Sequence, residues 1–214
     1  MSIKTVRYVL WGAVAVAAIG VGVGYLGLGQ NGGIGTAGQT LKLKAASGSN
    51  LPSIGGPFEL VEMTGAPVTQ QDLMGRKHAV FFGYTNCPDV CPLTLQELTA
   101  ALSTMPADEA SELDIVFISV DHERDTPEFL NDYLSVFESP ARIRGFTGTK
   151  QQIADAAKQY RVFYQKVVSD DGDVLYDHSS STYLFDETGN FEGTIAFQEK
   201  PSVVVEKLRN LVAS

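Results

Sequence analysis

Cys87 and Cys91, the two cysteines of this chain, stand four residues apart in Cys87-Pro88-Asp89-Val90-Cys91. They follow the apolar run Ala79 to Gly83 and precede a helical pattern, so both thiols fall where a buried strand gives way to a helix. Each is followed by a proline, which disfavours helical geometry in the residue before it and sets its own φ. On that ground Pro92 is expected as the first helical residue and Cys91 as its N-cap. Free amides and the helix dipole favour negative charge there, so the Cys91 thiol is expected to lose its proton more readily than an ordinary one. Two easily formed thiolates either exchange disulfides or bind a soft metal.

The elements that must position these thiols alternate between strand and helix. Phe58 to Glu62 and Ala66 to Thr69, joined through Thr64-Gly65, form an expected hairpin. Ala79 to Tyr84 reads as a buried strand, and Leu93 to Met105 as a helix with apolar residues at Leu95, Leu98, Ala101 and Leu102. Ile115 to Val120 is a second buried strand. Thr126-Pro127-Glu128 opens a helix that runs to about Phe137, Thr126 acting as cap and Pro127 in the first turn. Arg144 to Phe146 is a short strand and Lys150 to Tyr160 a helix. Two hairpins follow: Val162 to Val168 with Val174 to Tyr176 about Asp171-Gly172, and Thr182 to Phe185 with Phe191 to Ala196 about Thr188-Gly189-Asn190. Ser202 to Val212 closes the chain as a helix. This is the order of an α/β, thioredoxin-like domain with added hairpins, its parallel strands joined by right-handed crossovers.

The chain before this domain says where its chemistry happens. No charged residue occurs from Tyr8 to Leu28, a run of mostly Val, Ala, Leu, Ile and Gly long enough to cross a bilayer core of about 30 Å. Residues 1–28 are therefore read as an N-terminal segment and one transmembrane helix. Lys4 and Arg7 precede the run without acidic residues to offset them, which places the first residues in the cytoplasm and the rest beyond the membrane. Trp11 and Tyr25 suit interfacial anchors. A cleaved signal peptide is the rival reading; the run exceeds a usual h-region and lacks a clear Ala-x-Ala site. No Arg- and Ser-rich presequence precedes it, as expected of a bacterial inner-membrane protein with a periplasmic C-terminal domain. Residues 29–56, rich in Gly, Ser and Ala, read as a flexible linker spanning roughly 30 Å. Residues 57–214 are the right length for one domain.

The full chain carries 16 basic and 25 acidic residues, a net charge of −9, and removing Lys4 and Arg7 leaves −11 for the part beyond the membrane. Nucleic acid and anionic lipid are poor partners for such a domain.

Three motifs in order resemble the Sco/SenC family of membrane-anchored copper chaperones. They are Phe81-Phe82-Gly83-Tyr84-Thr85-Asn86-Cys87-Pro88-Asp89-Val90-Cys91-Pro92, Ser119-Val120-Asp121 with Arg124-Asp125-Thr126-Pro127-Glu128, and Asp177-His178-Ser179 before Tyr183-Leu184-Phe185-Asp186. The resemblance implies a thioredoxin-like domain outside the membrane that binds one copper through Cys87, Cys91 and His178. It also implies delivery of copper to, or preparation of, the dinuclear copper centre of cytochrome c oxidase. The implied partners are the copper-containing subunit of that oxidase and a second copper chaperone as donor, and no turnover catalysis is expected. His122 departs from the pattern, at a position often proline in the family, and reads as a weak further ligand or as an exposed loop histidine.

The donor chemistry agrees with copper as Cu(I), with Cu(II) as a second state: thiolate is soft and imidazole borderline, a set suited to low coordination. Structural zinc takes four ligands, and with two cysteines and three histidines it would have to recruit Asp89, Asp121 or His122. His178 alone reads as a histidine bonded to a neighbouring carbonyl or to Asp177; beside the cysteine motif and within Asp177-His178-Ser179 it reads as a ligand. His78 reads as structural, and Asp89 as either a partner to a ligand or a turn residue. A structural disulfide across so short a loop would add only roughly 2 kcal/mol. A thiol-disulfide reductase acting on the cysteines of a copper-receiving protein is the main alternative. Such enzymes usually carry Cys-x-x-Cys and a proline before the later strand, where this chain has Ser179-Ser180-Ser181-Thr182. A peroxiredoxin motif would need proline at Val80 and threonine at Tyr84.

Overall fold

The structure, a computed structural model, describes residues 54–169 and 171–213. The anchor expected over residues 1–28 and nearly all of the linker lie outside these residues. Among the described residues no helix is long and apolar enough to cross a membrane.

In chain order the elements are β1 (Glu59–Glu62), β2 (Pro67–Thr69), a short 3-10 turn (Gln70–Leu73), β3 (Lys77–Gly83), α1 (Val90–Ser103), α2 (Ala107–Ser111) and β4 (Leu113–Ser119). Then come α3 (Pro127–Leu134), β5 (Arg142–Thr147), α4 (Lys150–Tyr160), β6 (Tyr164–Val168), β7 (Val174–His178), β8 (Thr182–Phe185), β9 (Phe191–Ile195) and α5 (Pro201–Ala213). Seven strands make one sheet in the order β2-β1-β5-β4-β3-β8-β9. β3, β4 and β5 run parallel at its centre, and β1 and β8 flank them antiparallel. β6 and β7 form a ribbon of their own, pairing Tyr164 with His178 and Val168 with Val174.

The central strands are apolar because both faces of the sheet are covered. Val80, Phe81, Phe82, Ile115, Val116, Phe117 and Ile118 are fully buried, with Leu95, Leu98 and Leu102 of α1, Ile153 of α4 and Leu208 of α5. Tyr160 sits among Phe58, Phe82 and Phe185 at ring-centroid distances of 6.4, 5.4 and 5.5 Å. Polar residues close the turns as expected. Thr126 accepts from the Phe129 amide with Pro127 in the first turn of α3, and Gly172 and Gly189 take the positive φ that their hairpin turns require.

Several boundaries move; β3, β4 and β5 each begin two residues early, at Lys77, Leu113 and Arg142. α1 begins at Val90 rather than Pro92, because the first amides of a helix have no intrahelical acceptor and proline is tolerated within that turn. α3 stops at Leu134, short of Phe137. Ahead of Pro57, the Gly55 amide donates to the Gln159 carbonyl at 3.0 Å, and Ile54 packs on the core.

Candidate metal centre

The Cys87 loop leaves the end of β3 and turns into α1, with the Cys87 amide donating to the Tyr84 carbonyl at 3.3 Å. Asp89 occupies the N-cap position of α1, and its side chain makes no capping bond. Cys87 does the capping: its Sγ accepts from the Cys91 amide at 3.4 Å. Cys91 therefore lies inside the first turn, fully buried against Gly83, where an added Cβ would meet the Cys91 sulfur at 2.8 Å.

This corrects the expectation for the two thiols. The helix terminus stabilises the anion on Cys87, not Cys91. Hydrogen bonding from Cys91 and from backbone amides brings the Cys87 thiol down to about 3, against the partial burial that opposes it. Cys91 is pushed up, by its bond to Cys87, by burial and by the neighbouring negative charge. The first proton leaves the partly buried Cys87 sulfur and the second is held by the fully buried Cys91.

His178 arrives on the last residue of β7. Its Nδ1 donates to the Ser179 carbonyl at 2.9 Å, which leaves Nε2 as the bare nitrogen, 3.6 Å from Cys91 Sγ. Tyr84 and Phe81 meet the imidazole nearly edge to face, at centroid distances of 5.9 and 6.1 Å. One donor atom each from Cys87, Cys91 and His178 lies within 4.8 Å of the others, and among the described residues these form the one such group of three or more His, Cys, Asp or Glu.

The other candidates fall outside it. Asp121, considered for a zinc site, is fully buried and engaged with the Arg124 guanidinium and the Tyr176 hydroxyl. Asp89 is exposed and His122 half-buried in the turn after β4, and neither joins the group. His78 is structural: 2% exposed, with Nδ1 at 2.9 Å from the Arg76 carbonyl and its ring stacked on Phe185. Burial lowers its pKa. Sequence reasoning gave no role to Thr85, Ser119 and Asp125, which form a buried network beneath the cysteine loop. The available signal was that all three stand inside the quoted motifs, and that Ser119 interrupts the apolar run Ile115 to Val120.

The fold and the site together define a thioredoxin-like domain in which two thiols and an imidazole, a soft donor set, converge at the strand-to-helix junction. The chain belongs to the SCO1/SenC family, whose model matches residues 46–213. SenC of Rhodobacter capsulatus is 39% identical over 167 residues, covering 77% of this chain and 73% of that protein. The mitochondrial SCO1 homolog 1 of Arabidopsis thaliana is 38% identical over 152 residues, 71% of this chain; the chain spans 45% of that longer protein. The solved structure of Bradyrhizobium japonicum ScoI with copper bound superposes with a TM-score of 0.67 at 39% identity, covering 74% of this chain and 99% of that one. Copper is thus the metal carried by structural relatives of this domain.

Proposed function

We propose that this chain is a copper metallochaperone that binds one copper through Cys87, Cys91 and His178 and passes it to the dinuclear copper site of cytochrome c oxidase. The observation that carries this is the meeting of three soft or borderline donors within 4.8 Å, one from a strand that lies outside the main sheet. Copper is the cargo. Cys87 offers a thiolate at neutral pH, Cys91 gives up its proton as the metal enters, and His178 presents Nε2 because Nδ1 is tied to a carbonyl. Three protein donors leave room for an incoming ligand of the receiving protein, so the metal can be handed over by ligand exchange. The uncharged run of residues 8–28, with Lys4 and Arg7 before it, supports tethering of the domain on the periplasmic face of a bacterial inner membrane.

A second reading, reduction of a disulfide in the copper-receiving protein, draws on the asymmetry of the thiols. Cys87, the more accessible of the two, is the attacking thiolate and buried Cys91 the resolving thiol. Cys87 would attack one sulfur of the client disulfide to give a mixed disulfide and a client thiolate. Cys91, losing its proton to solvent, would then displace the second client thiolate and close Cys87–Cys91.

His178→Ala separates the two. In the first reading the full-length reduced variant loses tight Cu(I) binding and fails to support oxidase assembly, while its cysteines still form and release a disulfide. Wild-type copper affinity in the variant would overturn the ligand assignment. Loss of copper binding with full oxidase assembly would favour the reductase.

A further inference from the structure

His178 sits on a ribbon whose two strands pair with each other, whereas the cysteine loop grows from the central sheet. No backbone ladder therefore fixes the histidine against the cysteines, and side chains must do it. The chain leaving β4, Ser119 to Asp125, lies between the two. Ser119, Asp121 and Asp125 are each 2% exposed or less. Ser119 Oγ donates to Asp125 Oδ2 at 2.5 Å and accepts from the Asp121 amide at 3.0 Å.

Each carboxylate reaches one ligand-bearing segment. Asp125 accepts from the Thr85 amide at 3.0 Å and from Thr85 Oγ1 at 2.6 Å, two residues before Cys87. Asp121 accepts from the Tyr176 hydroxyl at 3.3 Å, two residues before His178, and from the Arg124 guanidinium, whose other arm donates to the Val174 carbonyl at 3.0 Å. The stretch is anchored in turn to β5, where Thr147 Oγ1 donates to the Asp125 carbonyl at 2.8 Å. Neither carboxylate touches a donor atom of the centre.

We propose that Asp125 and Asp121 are positioning residues of the metal centre, setting the separation of His178 from the cysteine pair through Thr85 on one side and Tyr176 on the other. The proposal rests on the three-donor copper centre argued above. A site of few ligands tolerates little displacement of any one, so holding groups remote from the metal are felt as affinity.

The test uses the full-length reduced chain in detergent, with Cu(I) affinity from competition against a chromophoric chelator and the Cu(II) form followed by electron paramagnetic resonance. Asp125→Ala should weaken Cu(I) binding by about tenfold or more and alter the Cu(II) spectrum. Asp125→Asn, matched in shape and still an acceptor for the Thr85 amide, should restore most of both. Tyr176→Phe keeps the ring and loses one bond, so about a fivefold loss is expected. If Asp125→Ala does not fold, Tyr176→Phe and Asp125→Asn decide. The control is Asp114→Ala, a buried carboxylate clamped by Arg76 and Arg142 at the far end of β4; it should lower Tm and leave copper affinity unchanged. Wild-type affinity in Asp125→Ala and Tyr176→Phe, or an equal loss in Asp114→Ala, would overturn the positioning role alone. Failure of the wild-type chain to bind Cu(I) would overturn the copper centre and the positioning role together.

Discussion

Cys91 Sγ and His178 Nε2 face each other at 3.6 Å across 87 positions of sequence. The buried thiol lies against the histidine. With Nδ1 donating to Ser179, Nε2 faces the buried thiol, and Cys91 retains its proton. In the copper centre proposed above, the metal ion takes the place of that proton, which ties copper loading to the protonation of Cys91.

Thiol reactivity should be sharply unequal. At pH 6 to 7 Cys87 is ionised and partly exposed, whereas Cys91 is protonated and buried. Limiting iodoacetamide on the reduced metal-free chain should alkylate Cys87 first, read by peptide mass spectrometry. Preferential labelling of Cys91 would restore the assignment suggested by the sequence.

Copper affinity should rise with pH in a way that counts the protons displaced. Cys87, at about 3, has lost its proton well below neutrality, so Cys91 supplies the one thiol proton released on loading. Binding to a form that has lost one proton is favoured by alkali, and the Cu(I) association constant should increase about tenfold per pH unit from pH 7 to 9. A flat profile would mean that both thiolates pre-exist, and a hundredfold slope that neither does.

Gly83→Ala tests the packing under the centre. The new Cβ would lie 2.8 Å from Cys91 Sγ and 2.9 Å from Phe117 Cε2, both groups fully buried. Overpacking of this kind costs about 1–3 kcal/mol, so a lower Tm is expected. Because the sulfur is one of the atoms that must move, Cu(I) affinity should fall with it. Unchanged affinity would show that Cys91 can shift without penalty.

Tyr133→Phe should behave oppositely. Among the described residues, the Tyr133 hydroxyl is the one buried side-chain polar atom without a hydrogen-bond partner, and its ring still packs on Phe117 and Phe137. Removing an unsatisfied buried hydroxyl loses no bond, so thermal unfolding should show Tm unchanged or raised. A fall of several degrees would reveal a partner for that oxygen.

Much of the architecture was legible because its causes are local. Apolar runs made the central strands, Thr126-Pro127 opened α3, and Asp171-Gly172 and Thr188-Gly189-Asn190 turned the hairpins, each through a preference that a few neighbouring residues express by themselves. The 3-10 turn at Gln70–Leu73 and the helix Ala107–Ser111 were not anticipated, since segments so short carry no periodicity. Arg144 also went unexplained until its partners were visible: it is buried in β5 because Glu62, the Asp72 carbonyl and the Phe146 ring converge on it from elsewhere in the chain.

The site divides along the same line. Sequence by itself supplied the two cysteines, their place at a strand-to-helix junction, and the Asp-His-Ser motif that singled out His178 through family resemblance. Which sulfur would carry the charge was beyond it. The prolines suggested that Cys91 capped the helix, but a two-residue change in where α1 begins gives the anion-stabilising position to Cys87 and buries Cys91 beneath it. The approach of Nε2 to Cys91, and the carboxylates that brace the cysteine loop and the histidine ribbon, arise only when segments distant in sequence are packed together. Burial and donor geometry set the thiol energies, and both are properties of the assembled fold rather than of any short stretch of chain.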